Sequence, residues 1–285
     1  MIDKQASEEG SVSSLHRAVA LLRALAAGAG GGGQRVSDQA RALGYTQATT
    51  HRLLQQLVDE GLVVQSADDK RYALGLDFFA LAARAGEAGG LRERCRPALL
   101  RLGASLGDSV FLLVRAGFDA MCLDRWEGPF PIRSFTGDIG GRVPLGVGQG
   151  SMAILAHLPE AERDEVMRYN VPRIRHLGAL DEVYLRTEAA QARAQGYVST
   201  NSGLIEGMAG VAVPVFDANG QVVAALSIGT LTARVQGERL PVVVELLQRE
   251  ARALSAQINP FDRTLRRPAD SLGTMPSPPL PWTAP

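Results

Sequence analysis

Residues 36–75 read VSDQARALGYTQATTHRLLQQLVDEGLVVQSADDKRYALG, and this stretch decides the fold of the N-terminal part of the chain. Ser37 is a favoured N-cap for a short helix, DQARAL, whose Ala40 and Leu43 face inward and which Gly44 stops. Thr46 caps the next helix, QATTHRLLQQLVDE, and Gly61 ends it. Two short helices joined through Gly44-Tyr45 form a helix-turn-helix pattern, in which the second helix enters the major groove of DNA. At roughly 100° per residue, Leu53, Leu54, Leu57 and Val58 gather on one side of that helix. Ala48, Thr49, Arg52, Gln55 and Gln56 point the other way, and no carboxylate stands between Thr46 and Val58 to repel phosphate. The following LVVQSADDKRYALG reads as two short strands around a polar turn, Ser66 to Lys70, with Lys70 and Arg71 beside its tip. A polar helical face alone is more often merely solvated. The order of helix, glycine stop, capped helix, glycine stop and hairpin meets several separate requirements of a winged DNA reader at once.

Working outward from there, LHRAVALLRALAAG after Ser14 spaces Leu15, Val19, Leu22 and Leu25 as an amphipathic helix, closed by the run Gly28 to Gly33. Residues 1–12 are polar and read as a flexible arm, so the winged helix-turn-helix domain spans 13–75. Residues 76–90 form an alanine-rich linker helix with Leu76, Phe79, Ala80 and Ala83 on one stripe. That stripe either meets a dimer partner or packs on the chain's own second domain. Residues 260–285 carry seven prolines and little apolar material, and are read as a disordered tail.

The second domain, 91–259, opens with a helix around Arg92 to Leu106. SVFLLVRAGFDAMCLDRW then supplies two β-rich runs joined at Ala116 to Asp119. MAGVAVPVF and QVVAALSIGTL flank Asp217-Ala-Asn-Gly220, whose Asn-Gly pair favours a tight antiparallel turn. Between the hairpins lie three helical stretches, SMAILAHL, EAERDEVMRYN and DEVYLRTEAAQARAQ. A final helix, LPVVVELLQREARALSAQI, has an apolar stripe suited to covering a sheet face. The fold class is therefore α+β: a winged helix-turn-helix, a linker helix, and a GAF-like α/β domain of the kind that binds small effectors.

Composition narrows the function. The chain has 285 residues, 46% of them hydrophobic, which is enough for two cores. Its formal net charge is +0, so attraction to DNA must be local. Cys95 and Cys122 are the two cysteines, and no spacing suits zinc, which fits a reduced cytoplasmic protein with no cofactor or metal. The polar first residues and the lack of about 18 uninterrupted apolar residues speak against secretion and membrane insertion. An enzyme would need a nucleophile elbow, an H-E-x-x-H helix or a phosphate loop, and none occurs. His16 and His51 lie in the helices above, while His157 and His176 lack an evident nucleophilic partner. A sensory module that controls another protein, with N-terminal helices used only for dimerisation, is the remaining alternative.

At this point the residues resemble the IclR family of transcription regulators, from about Ser13 to Ile258. The resemblance is carried by SLHRAVALLRAL, QATTHRLLQQLVDEGLV, KRYALG, PLGVGQGSMAILAHLP, RAQGYVS and GVAVPVFDANGQVVAALSIG. It implies a homodimer or dimer of dimers on double-stranded operator DNA, with a small-molecule effector bound in the C-terminal domain. By the same resemblance Gln47, Ala48, Thr49 and His51 lie near bases, Arg52 contacts phosphate or base, and Arg71 contacts phosphate. Gln55 and Lys70 join them from the helical wheel and the wing.

The family's effector cavity maps onto Gly148, Gln149, Gly150 and Ser151, then Tyr197 with Thr200, Asn201 and Ser202, and finally Gly210, Ser227 and Gly229. Backbone N–H groups at a helix start carry partial positive charge, so the glycine-rich VGQGS can approach a carboxylate closely. The chain departs from many relatives at Ser151-Met152, where they have Gly-Lys, and at Thr200-Asn201-Ser202, where they have an acidic loop. A less acidic loop repels an anion less, and the implied effector is a small organic acid, aromatic acids included. Arg133 and Arg142 are further candidate anion partners, although charged residues at strand ends usually face solvent.

Overall fold

A computed structural model of the chain describes residues 13–28, 33–78, 81, 90–129, 138–178, 180–199 and 205–258. The N-terminal arm, the tail, most of the linker helix, Arg133, Thr200, Asn201 and Ser202 lie outside the described residues. The chain divides into two compact units, residues 1–88 and 89–285.

The first unit holds α1 (Ser14–Ala27), α2 (Val36–Leu43), α3 (Gln47–Asp59), β1 (Val63–Gln65) and β2 (Tyr72–Leu74). Thr46 caps α3 as its sequence position requires, its hydroxyl accepting from the Thr49 N–H at 3.2 Å. Gly44 ends α2 in the left-handed conformation, at φ 67°. The start of α2 differs from expectation: Arg35 is the N-cap, without a side-chain cap, and Ser37 lies inside the helix. Pairing with the wing explains the shift. Gln34 and Tyr72 exchange two backbone hydrogen bonds of 2.8 Å, so the chain arrives at α2 bridged to β2 and turns directly after it.

The core of this unit is Leu21, Leu25, Leu53, Leu54, Leu57, Val63 and Tyr72. The stripe on α1 therefore runs through Leu21 and Leu25, whereas Leu15, expected to face inward, is 75% exposed. Leu15 belongs to the first turn, and burial begins only further along, with Ala18 and Leu22 flanking the two buried leucines. Past β2 the chain is helical at residues 76–78 and 81, and Leu76 is strongly exposed.

The second unit is one antiparallel sheet between two helical layers. Its elements are α4 (Leu91–Leu106), β3 (Ser109–Ala116), β4 (Asp119–Trp126), β5 (Arg142–Pro144), α5 (Gln149–His157), α6 (Glu160–Ile174), α7 (Glu182–Gln195), β6 (Met208–Phe216), β7 (Val222–Leu231) and α8 (Arg239–Ser255). The strand order is β5-β4-β3-β7-β6. Successive side chains alternate across a strand. Phe111, Leu113, Ala212 and Ala225 thus pack with α5, α6 and α7, while Val110, Leu112, Val211, Val213 and Leu226 pack with α4 and α8.

Two local readings are refined. The β6–β7 connection is five residues, 217–221, closed by the Asp217 N–H donating to the Gln221 carbonyl at 2.8 Å, and so wider than a bare Asn-Gly turn. Asp217 accepts from the N–H groups of Asn219 and Gln221 at 2.9 Å, and Gly220 takes φ 74°. Helix α6 continues past Asn170 to Ile174, which is fully buried, and Asn170, also fully buried, donates its side-chain amide to the carbonyls of Phe118 at 2.7 Å and Leu145 at 3.1 Å. Among the described residues no helix is long and apolar enough to cross a membrane, and no acidic, histidine or cysteine cluster could hold a metal.

Candidate DNA-reading and effector sites

Helix α3 separates its two faces sharply. Thr50, Leu53, Leu54 and Leu57 are buried, and Gln47, Ala48, His51, Arg52, Gln55 and Gln56 are exposed. Thr49 is half-buried and its hydroxyl is engaged with that of Thr46 at 2.9 Å. The Thr50 hydroxyl donates back to the Thr46 carbonyl at 3.0 Å. Both bonds tie down the first turn. Nearby, the Arg17 guanidinium sits 5.7 Å from the centre of the Tyr45 ring, bracing the turn that leads into α3.

The wing is less basic than its Lys-Arg pair suggests. Lys70 is exposed and holds φ 57°, the positive value that closes the tip. Arg71 is half-buried and committed: its Nη1 donates to the Gly33 carbonyl at 3.0 Å and its Nε lies 3.2 Å from Asp69 Oδ2. The Ser66 side chain, then the Arg71 backbone N–H and the Arg71 charge, hold the Asp69 carboxyl below its ordinary range. Two residues that the sequence reading passed over matter here. Asp69 is a carboxylate at the tip, and Arg35 is an exposed cation at the N-terminus of α2. The available sign was plain charge: DDKR nets to zero over four positions.

In the second unit the start of α5 lies flat on the sheet. Gly146 and Gly148 take φ values of 106° and 78°, which fold the loop tightly onto the helix. A Cβ added to Gly150 would stand 2.3 Å from Leu113 Cδ1 and 3.1 Å from Ser227 Oγ, so the helix backbone rests against β3 and β7. At Gly210 an added Cβ would meet the Ile228 carbonyl at 2.7 Å and Gln149 Oε1 at 2.8 Å. Gly229 pairs with Gly210 in the β6–β7 register. Gly148, Gln149, Gly150, Gly210, Ser227 and Gly229 therefore come together.

The remaining effector candidates divide. Ser151 belongs to the same turn but its hydroxyl is used locally: it donates to the Val147 carbonyl at 2.5 Å and accepts from the Gly146 N–H at 3.2 Å, with the residue 1% exposed. Tyr197 does not join the cluster. Val198 forms a bridge with Ala212 at the sheet edge and packs on the α5 side, so alternation sends Tyr197 to the α4–α8 side. Arg142 sits on β5, separated from β7 by β4 and β3. His157 is a packing residue, its ring edge-on to Phe216 and its Nδ1 2.9 Å from the Ala153 carbonyl, and burial lowers its pKa.

Comparison with known proteins covers both units. The IclR helix-turn-helix domain matches residues 14–67, and the C-terminal domain of bacterial IclR transcriptional regulators matches residues 85–256. The chain is 29% identical to the HTH-type transcriptional regulator KdgR of Escherichia coli over 92% of its own length and 97% of that protein. It is 27% identical to the regulator BhcR of Paracoccus denitrificans over 90% of each chain. Among solved structures, an IclR homologue from Microbacterium hydrocarbonoxydans complexed with 4-hydroxybenzoate aligns with a TM-score of 0.72 at 26% identity, over 86% of this chain and 98% of that one. An IclR regulator from Alicyclobacillus acidocaldarius aligns with a TM-score of 0.71 at 25% identity, over 86% and 98% of the two chains. With both domains matched in order and almost all of the described residues covered, the chain belongs to the IclR family of bacterial DNA-binding transcription regulators.

Proposed function

We propose that this cytoplasmic regulator reads duplex operator DNA with the exposed face of α3, and that a small organic acid bound beside the start of α5 changes its affinity for that DNA. The observation that carries the first half is the division of α3 into a leucine-backed face and an exposed face free of carboxylates up to Asp59. Gln47, Ala48, His51, Arg52 and Gln55 meet base edges or phosphate. Thr49 holds the first turn, and Lys70 approaches the backbone from the wing. Arg71 serves first as the strut between wing and Gly33, and reaches phosphate only by giving up Asp69.

Arg52→Ala is expected to weaken operator binding by about 1 to 3 kcal/mol and to flatten its salt dependence by about one charge. Titration of an operator selected from random duplexes, at several salt concentrations, measures both. An unchanged affinity and salt slope would remove α3 from the interface.

The effector half is supported by the close approach of the α5 start to β7, where a Cβ added at Gly150 would stand 3.1 Å from the buried Ser227 hydroxyl, and by the 4-hydroxybenzoate complex of the Microbacterium homologue. Helix-start N–H groups favour an anion and the apolar Phe111 and Leu113 alongside favour a ring. Isothermal calorimetry against a panel of aliphatic and aromatic carboxylates and their neutral amides is expected to show heat with acids and none with the amides. Binding confined to neutral or cationic compounds rejects the assignment. The regulator works as a dimer or dimer of dimers, a reading supported by the exposed Leu76 and Leu81 beyond the wing.

A further inference from the structure

Ala48 is the one apolar side chain that α3 exposes, and it sits in the first turn among longer polar neighbours, Gln47, His51 and Arg52. A methyl group can neither donate nor accept a hydrogen bond, so it can read a base only by apolar contact. In the major groove just one base offers an apolar partner, the 5-methyl of thymine. So short a side chain touches a base only where the helix backbone comes close to the groove floor, and the first turn of a recognition helix is that place. The turn is also held rigid, by the Thr46 cap on the Thr49 N–H at 3.2 Å and by the contact between their hydroxyls at 2.9 Å.

We propose that Ala48 is a specificity-determining residue that reads the methyl group of a thymine. This rests on the assignment of α3 to the major groove. Arg52 follows Ala48 by four residues on the same face, about 6 Å along the helix axis. Base pairs are stacked about 3.4 Å apart, so the thymine lies one or two steps from the nucleotide that Arg52 contacts.

The test uses the full chain and a duplex selected from random sequence. Each thymine is replaced in turn by deoxyuridine, which removes the methyl and nothing else, and dissociation constants are read by fluorescence anisotropy. At one thymine position the replacement is expected to weaken wild-type binding about fourfold, the worth of one buried methyl. Ala48→Gly and the better helix former Ala48→Ser are both expected to bind the thymine and deoxyuridine duplexes equally at that position, while other base substitutions keep their cost. Wild-type binding that is indifferent to every deoxyuridine overturns the proposal, as does a methyl preference that survives in both variants. Failure of the wild type to select any duplex would instead overturn the assignment of α3 to DNA.

Discussion

Leu54→Ala is expected to cost the N-terminal unit about 2 to 5 kcal/mol and with it most of the protein's operator binding. Leu54 is fully buried, and its helix faces Leu21 and Leu25 of α1 with Val63 and Tyr72 of the wing hairpin. Seven buried side chains make up that core, so removing one large member leaves a cavity that the remaining six cannot close. Small domains have little stability in reserve, about 5 to 15 kcal/mol even for ordinary ones, and the loss removes a large share of it. Hydrogen exchange on the full chain separates this effect from a general one. Amides of α1, α2 and α3 should lose protection while those of β3, β6 and β7 keep theirs. Unchanged protection in α3 would mean that the leucine face does not hold the reading helix.

The second large effect is expected at Asp108, a carboxylate only 4% exposed at the entry to β3. It accepts from the Thr230 hydroxyl at 2.7 Å and from Arg234 Nε at 3.2 Å, and Arg239 donates to its other oxygen. Arg239 also donates to the Leu106 carbonyl at 2.9 Å, so one carboxylate joins the end of α4, the end of β7 and the start of α8. Breaking a fully buried pair by removing one partner costs about 3 to 5 kcal/mol. Here the guanidinium side chains are 34% and 29% exposed, and water recovers part of that for them. Asp108→Ala is therefore expected to destabilise the C-terminal unit by about 2 to 3 kcal/mol, and Asp108→Asn, which keeps an acceptor, by less. Denaturant unfolding of the full-length variants, with hydrogen exchange of α8 as a local readout, measures the difference. Equal stability of wild type and Asp108→Ala would show that apolar packing alone seats α8.

Much of this protein could be read without coordinates because its signals are local. Thr46, Gly44 and Gly61 act within a turn of the residues they serve, so the limits of α3 and the end of α2 follow from neighbouring atoms. The two faces of α3 follow from the helical period, and strands β3, β6 and β7 from runs of β-branched and aliphatic residues. The start of α2 was not legible in the same way. Its apparent cap, Ser37, loses to the pairing of Gln34 with Tyr72, and no local propensity encodes a partner so distant in the chain.

The same limit applies to the sites. The exposed side chains of α3 are a property of one helix, and the sequence determined them by itself: periodicity, caps and the lack of carboxylates stand in consecutive residues. Tertiary structure alone decided that Arg71 is spent on the Gly33 carbonyl and that Tyr197 turns away from Gly150 and Ser227. Each of those outcomes depends on which distant backbone comes within hydrogen-bond reach, or on which side of a strand a residue falls. A single shift of register reverses the latter, and long-range pairing sets it.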